Sequence, residues 1–502
     1  MRTSARELLR QLLDSDSFIG WDRPPVTVAA SPRYREELRK AELAAGTDEA
    51  VLTGEGLLRG RRVAVIACEF GFLAGSIGVA AAERIVSAVE RATELGLPLV
   101  ASPTSGGTRM QEGTIAFVQM VKIAGAVATH KSAGHPYLVY LRNPTMGGVF
   151  ASWGSLGHIT FAEPGALIGF LGPRVYKALY GKDFPEGVQV AENLYRSGVI
   201  DGVLPVSVFR RIAHRALSVL GGVPDPVAAE SGWAAPVHRV ANAAPDVAAW
   251  ESVRISRSPG RPGIRDLLRH VTQRVPLSGT GQGESDRTIV HALARFRGQP
   301  CIVFGHDRSG QQGEHTMGPA ALREARRSMA LAQELRLPLV LVIDTVGAAL
   351  SKEAEERGLA PEIARCIADL VTLDTPTVSV LLGQGTGGGA LALLPADRVL
   401  AATHGWLAPL PPEGASAIVY RDTAHALELA RAQGIRAADL LADGVVDRIV
   451  PEFPDAADEP VDFARRMVAA IADELTGLRT RPLAEIRASR HTRYRRLGLP
   501  EC

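Results

Sequence analysis

Cysteine is scarce in this 502-residue chain. The four present, Cys68, Cys301, Cys366 and Cys502, form no CxxC pair, which argues against a disulfide framework or a zinc ribbon. Aromatic residues make up only 5% of the chain, so platforms for stacking single-stranded nucleic acid are not expected. Neither sign of charge dominates, 56 Lys+Arg against 54 Asp+Glu giving +2, and no global field favours nucleic acid. No run approaches the ~18 apolar residues of a membrane span. The opening MRTSARELLRQLLDSDSF lacks the apolar core of a secretory signal. These absences predict a reducing, cytoplasmic protein with no membrane or nucleic-acid partner.

Familiar catalytic signatures are missing too. There is no GxxxxGK[ST] phosphate loop and no HExxH metal pair, and Ser105 and Ser155 lack a GxSxG context. GxGxxG occurs as Gly383-x-Gly385-x-x-Gly388, but without the acidic residue of a dinucleotide site. The acids Glu112, Glu163, Asp344, Glu353 and Glu413 are each more often caps or surface charges than general bases.

What the chain does have is length for two or three domains, an ordinary 46% hydrophobic and 22% charged composition, and 51 glycines. It also repeats itself. Glu94-Leu95-Gly96-Leu97-Pro98-Leu99-Val100 recurs as Glu334-Leu335-Arg336-Leu337-Pro338-Leu339-Val340, an offset of 334 − 94 = 240. The same offset carries Gly78 to Gly318, Pro136 to Pro376, Gly147-Gly148 to Gly387-Gly388 and Gly165 to Gly405. A structural unit has been duplicated. Within the first copy the pattern predicts strands at 62–67, 97–101, 137–141 and 166–170 and helices over 80–94, 111–131 and from Gly147 onward. Strands joined by helices imply parallel pairing with right-handed crossovers. Residues 1–50 read as helical and charged. The tail 479–496, with seven arginines, reads as a solvated helix or an oligomer contact.

Each copy carries two glycine-rich turns between a strand and a helix: Ser105-Gly106-Gly107-Thr108 and Thr145-Met146-Gly147-Gly148 in the first, Thr345-Val346-Gly347-Ala348 and Gly383 to Ala390 in the second. Such turns present unpaired N–H groups at a helix start, and glycine admits a ligand close to them. Two N–H groups aimed at one point form an oxyanion hole. The residues therefore point to catalysis by backbone electrostatics, without an obvious side-chain acid or base.

The runs Phe70 to Gly78, Ser105 to Glu112, Pro144 to Val149 and Ala162 to Val175 resemble the β subunit of the acetyl-CoA carboxylase carboxyltransferase. The second half resembles the α subunit, through Met317 to Ala320, Ile343-Asp344-Thr345, Ala354 to Gly358, Gly387 to Ala390 and Pro412-Glu413-Gly414. The whole looks like a single-chain β–α fusion.

That resemblance implies an α/β fold of two tandem crotonase-like domains, each a spiral of ββα units: β-like at 1–222, a linker at 223–262 and α-like at 263–502. It implies transfer of a carboxyl group from carboxybiotin, held on a separate carrier protein, to the α-carbon of an acyl-CoA, and a place in fatty acid biosynthesis. Carried over by motif, Gly106 and Gly107 would stabilise the thioester enolate, and Gly388, Gly389 and Ala390 would polarise the biotin ureido oxygen. Ser105, Thr108, Arg109, Met146, Gly147 and Gly148 would line the substrate, and Ala392 the acyl pocket, compatible with a short acyl chain. The chain has no ATP-binding motif and no Met-Lys-Met biotin-accepting segment, so a biotin carboxylase or carrier subunit is the implied partner. A homo-oligomer built on dimers is expected, its two units facing each other across the dimer.

The chain departs from the family pattern in three places. Arg6-Glu7-Leu8-Leu9 resembles the segment after the zinc ribbon of bacterial β subunits, so no zinc is expected. The α-type PGAYPG segment reads Val346-Gly347-Ala348-Ala349-Leu350-Ser351, and Pro411 to Ala415 differs from its counterpart. A malonyl-thioester decarboxylase on the same fold and a non-catalytic acyl-CoA-binding assembly subunit remain as alternatives.

Overall fold

The computed structural model describes residues 2–28, 30–170, 172–224, 247–313 and 315–498. Residues 225–246 of the expected linker, Leu171 and Cys502 lie outside the described residues. The chain divides into two compact units, Met1–Gly221 with Gly281–Glu284, and Gly222–Thr280 with Ser285–Cys502.

The first unit is built on a seven-stranded sheet. Its strands are β1 (Ile19–Gly20), β2 (Val51–Leu58), β3 (Arg61–Cys68), β4 (Leu99–Ser102), β5 (Tyr137–Leu141), β7 (Ile159–Ala162) and β9 (Gly202–Val203), neighbouring in that order. Two short strands stand apart as a parallel pair, β6 (Thr145–Met146) and β8 (Ile168–Gly169). β2 and β3 form an antiparallel hairpin turned at Arg59 and Gly60, both at positive φ (51° and 80°), as the tightest hairpin turns require. From β3 onward every pairing is parallel, so each connection must cross over. The helices Val79–Glu94 and Gly113–Ser132 make two of these crossings. The first buries Ile85, Val86 and Val89 in the same core as Ile66, Leu99 and Val139, at about 1.5–3 kcal/mol per large aliphatic side chain.

The second unit repeats this plan. Its strands are β10 (Gln273–Leu277), β11 (Ile289–Phe296), β12 (Gln299–His306), β13 (Leu339–Thr345), β14 (Thr377–Thr386), β15 (Arg398–Ala402) and β17 (Arg448–Val450), again in chain order, with β16 (Trp406–Ala408) paired to the end of β14. The hairpin of β11 and β12 turns at Arg297 and Gly298, also at positive φ. The crossover Pro319–Glu334 lies 240 residues after Val79–Glu94. β14 runs unbroken through ten buried residues. In the first unit the equivalent path is interrupted by Pro144, which has no N–H for a ladder, and so splits into β5 and β6.

The repeat keeps its geometry but not all of its charges. Arg84, buried in the first crossover helix, donates to Asp48 (2.9 Å), to the Val51 carbonyl and to the Arg23 carbonyl. Its counterpart 240 residues on is Glu324, equally buried, which accepts the Asp286 N–H at 2.7 Å.

Three sequence expectations change. The stretch after Gly147 forms turns and one 3-10 turn at Trp153–Ser155, not an α-helix. There Ser152 Oγ donates to the Gly148 carbonyl (2.5 Å), and such local bonds compete with helix. Residues 247–262, placed in the linker, belong to the second unit. The helix Ala249–Ser256 buries Ala249 and Val253 against Trp406, Ala408 and Ile435. The arginine-rich tail is not a solvated helix throughout. In Leu483–Arg496, Arg490 is buried, donating to both carboxylate oxygens of Asp397 (2.8 and 2.7 Å) and to the carbonyls of Leu370, Leu373 and Thr375. It thereby satisfies the carbonyl end of the helix Leu359–Thr372, a position that favours a cation. Among the described residues no helix is long and apolar enough to cross a membrane.

Candidate active site

In the first unit the two glycine-rich turns are stitched together. Ser105 N–H donates to the Pro144 carbonyl at 2.7 Å, and Met146 N–H returns to the Ser105 carbonyl at 3.0 Å. Gly107 (φ 116°) and Gly147 (φ 64°) occupy backbone conformations that L side chains rarely adopt. A methyl group at Gly147 would stand 3.6 Å from the Gly107 Cα. The second turn therefore lies against the first at backbone distance.

The amides of these turns differ in what they already hold. Gly106 N–H is spent on the Ala74 carbonyl (2.9 Å), and Gly147 N–H on the Gly169 carbonyl (3.0 Å). Gly107 N–H is held only by a rotatable hydroxyl, Ser105 Oγ, at 3.0 Å. Among the described residues nothing accepts from Gly148 N–H. The exchangeable donors of this cluster are thus Gly107 and Gly148. Gly106 N–H is committed to a carbonyl. Ser105 is fully buried, consistent with an anchoring hydroxyl.

Arg109, beside the glycine turn, is paired within the unit. It is 1% exposed and faces inward. Its Nη1 donates to Glu49 Oε2 at 2.9 Å and its Nη2 to Glu49 Oε1 and, at 2.8 Å, to the Ser76 carbonyl. Tyr34 hydroxyl donates to Glu112 Oε1 (2.5 Å), while Glu112 Oε2 takes Val79 N–H at 2.6 Å. This buried cluster ties the loops at 76–79 and 105–112 to the start of β2. Arg109 thereby anchors the loop that carries the glycine turn. Met146 is buried, and Thr108 half-buried beside Gly148.

The second unit builds the same device. Gly347 (φ 136°) matches Gly107, and its N–H is held by Thr345 Oγ1 at 3.1 Å, as Gly107 is held by Ser105. The bridge between Met317 and Ala348 repeats that between Ile77 and Thr108. Gly387, Gly388 and Gly389 open the short helix Gly387–Leu391, which no side chain caps, so first-turn N–H groups are without intrahelical acceptors. A methyl group at Gly389 would stand 3.3 Å from the Ala348 nitrogen, so here too the two turns meet backbone to backbone. Ala390 and Ala392 are fully buried. Within segment 346–351, which departs from the family pattern, Gly347 and Ala348 thus keep the turn geometry of the first unit.

A polar chain stands behind this second turn. Gln384 N–H donates to Asp344 Oδ1 (3.1 Å), Arg308 Nη1 to Asp344 Oδ2 (3.3 Å), and Arg257 joins Gln384 Oε1 (3.1 Å) to Glu413 (2.5 and 3.1 Å). Burial pushes the Asp344 carboxyl up, against the pull of Arg308. The pairing with Arg257 holds Glu413 below the ordinary carboxylate range. Glu163 accepts Asn143 N–H at 3.1 Å, and exposed Glu353 pairs with Arg357 at 3.1 Å. Each acid singled out in the sequence therefore already has a partner. Among the described residues, burial disfavours the thiolate of each cysteine: it raises Cys68 to about 11 and Cys366 to about 12, and raises Cys301 further. Among the described residues no group of three or more His, Cys, Asp or Glu is placed to hold a metal ion.

Two consecutive α/β units, each closing paired glycine turns over free or exchangeable amides, define a crotonase-like carboxyltransferase. Residues 2–488 match the carboxyl transferase domain family, and the chain belongs to it. It is 64% identical over 500 residues, 99% of both chains, to a probable biotin-dependent acyl-coenzyme A carboxylase beta3 subunit of Mycobacterium tuberculosis. It is 38% identical to the acetyl-coenzyme A carboxylase carboxyl transferase subunits beta/alpha of Salinispora arenicola, covering 99% of this chain and 91% of that protein. Among solved structures it is similar to the transcarboxylase 12S hexamer with methylmalonyl-coenzyme A bound, at TM-score 0.75 and 21% identity, over 96% of this chain and 91% of that one. It is also similar to a single-chain, multi-domain long-chain acyl-CoA carboxylase, at TM-score 0.69 and 19% identity, over 93% of this chain and 45% of that one.

Proposed function

We propose that this chain is the carboxyltransferase component of a biotin-dependent acyl-CoA carboxylase. It moves a carboxyl group from carboxybiotin on a separate carrier protein to the α-carbon of a short acyl-CoA, acetyl-CoA first and propionyl-CoA next. The observation that carries this reading is the duplicated glycine device, with one set of backbone donors for each of two carbonyl-bearing substrates. Gly107 and Gly148 would hold the thioester oxygen as an enolate forms, and Gly388, Gly389 and Ala390 the ureido oxygen of biotin. Preorganised N–H donors of this kind contribute about 2.7–4 kcal/mol each to a transition state. The absence of an uncommitted acid or base among the residues singled out fits chemistry in which the released biotin takes the α-proton, and the protein supplies position and field. The ureido group fits the second turn, which offers neutral donors beside apolar Val346, Ile363 and Leu391.

The relatives named above support the biotin dependence and the acyl-CoA class. A homo-oligomer is supported by the helix Gly113–Ser132, whose outer face leaves Ile115, Phe117, Val118 and Val121 at least half exposed; single exposed apolar residues are ordinary, but a row of four is not. The test is incubation of the purified chain with malonyl-CoA, with and without biotinylated carrier. Acetyl-CoA should form only with the carrier present. Equal decarboxylation without it would remove the carboxyltransferase reading in favour of a malonyl-thioester decarboxylase.

A further inference from the structure

The helix Val79–Glu94 begins with an amide that its own N-cap cannot serve. That residue is Gly78, which has no side chain, and the first N–H groups of a helix have no intrahelical acceptor. The acceptor comes from the far side of the first glycine turn. Glu112 Oε2 takes Val79 N–H at 2.6 Å, and the Tyr34 hydroxyl donates to Oε1 at 2.5 Å. The Glu112 side chain is 4% exposed. A methyl group at Gly78 would overlap its carboxyl, so the glycine makes room for this contact. Between the turn and Glu112 the chain meets the same helix end twice more. Ile77 N–H donates to the Gly107 carbonyl, and Arg109 N–H to the Ile77 carbonyl, each at 3.0 Å. The loop that leaves Gly107 is thus fastened at residues 107, 109 and 112 to residues 77–79.

The duplicate meets the same need without an acid. Its helix Pro319–Glu334 starts with proline, which has no N–H to satisfy. The residue 240 positions after Glu112 is Lys352. Gly78 (φ −105°, ψ −170°) and Gly318 (φ −100°, ψ −177°) share one extended conformation, of the kind that a following proline favours. A proline would therefore fit at position 79 and end the need for a cap. Burying a carboxyl is the costlier solution. What the carboxyl adds is a link between the helix end and the loop of the glycine turn. We propose that Glu112 is a positioning residue for the Gly107 amide. It ties the loop that leaves the turn to the start of the helix, and so holds the amide where charge gathers on the thioester oxygen. This rests on the reading of that turn as the enolate site.

The test carries the second unit's solution into the first. Val79→Pro removes the amide, and Glu112→Met with Tyr34→Phe removes the carboxyl and the hydroxyl that donates to it, while Arg109 keeps Glu49. Removing both partners of a buried bond is close to neutral, so the triple variant should melt within about 4 °C of wild type. In the transfer from malonyl-CoA to free biotin its kcat should nonetheless fall about tenfold, the cost of a slightly misplaced group. The KM for each substrate should stay within about twofold. Glu112→Gln, which keeps an oxygen for Val79 N–H and an amide for Tyr34, should retain kcat within about threefold. A triple variant whose kcat is within about threefold of wild type would make Glu112 a helix cap alone and overturn the proposal. So would a triple variant that does not fold or that melts about 10 °C lower, or an E112Q as slow as the triple variant. Those failures leave the carboxyltransferase reading intact; a wild-type chain that transfers nothing to biotin would overturn both.

Discussion

Replacing Arg109 by methionine separates two roles the position could have. The structure gives Arg109 a bidentate pair with Glu49, itself 1% exposed, and a bond to the Ser76 carbonyl. Methionine fills much of the volume but leaves a buried carboxylate without its cation. Breaking a buried pair from one side costs about 3–5 kcal/mol, a large part of the ~5–15 kcal/mol that holds a domain together. For a unit of this size each kcal/mol moves the midpoint by about 2–4 °C, so R109M should lower it by roughly 6–20 °C. R109M/E49Q, which removes the orphan charge, should recover more than half of the loss. Differential scanning fluorimetry on the three proteins reads all of this. Were Arg109 a substrate contact instead, R109M would raise the KM for acyl-CoA at an unchanged melting point. An R109M midpoint within 2 °C of wild type, or a double variant no better than the single, would refute the reasoning.

Two further outcomes concern buried groups in the second unit. Burial raises the Glu324 carboxyl to about 8. The folded chain thus keeps a proton that the unfolded chain releases near 4.5, and stability declines as pH rises from about 4.5 to about 8, by on the order of 5 kcal/mol in total at 1.36 kcal/mol per unit. E324Q, neutral throughout, should flatten the melting curve over that window; parallel wild-type and E324Q curves would contradict the assignment. Arg490→Met strands Asp397 and three carbonyls, so chemical denaturation should show a loss of about 3–5 kcal/mol, and a change below 1 kcal/mol would mean that the tail does not hold the unit.

Much of the fold was legible because its signals are local. The 240-residue offset, the strand runs and the glycine pairs need only neighbours in sequence, and β4, β5 and the helix Val79–Glu94 stand where periodicity puts them. The features that were not legible depend on distant chain. Gly106 loses its N–H to Ala74, and Arg109 turns inward because Glu49 waits at the start of β2. Arg490 looks like any of its arginine neighbours until Asp397 and the end of the helix Leu359–Thr372 are brought to it.

A chain made of two like halves must also avoid building one half from pieces of the other, a characteristic failure of tandem domains. The exchange of Arg84 for Glu324 acts against one such error. Were the helix Pro319–Glu334 to dock in the first half, Asp48 and Asp22 would lose the guanidinium that they surround and face a carboxyl instead. Acids left without their cation lose stability. The duplication thus carries part of a sorting rule in its own interior.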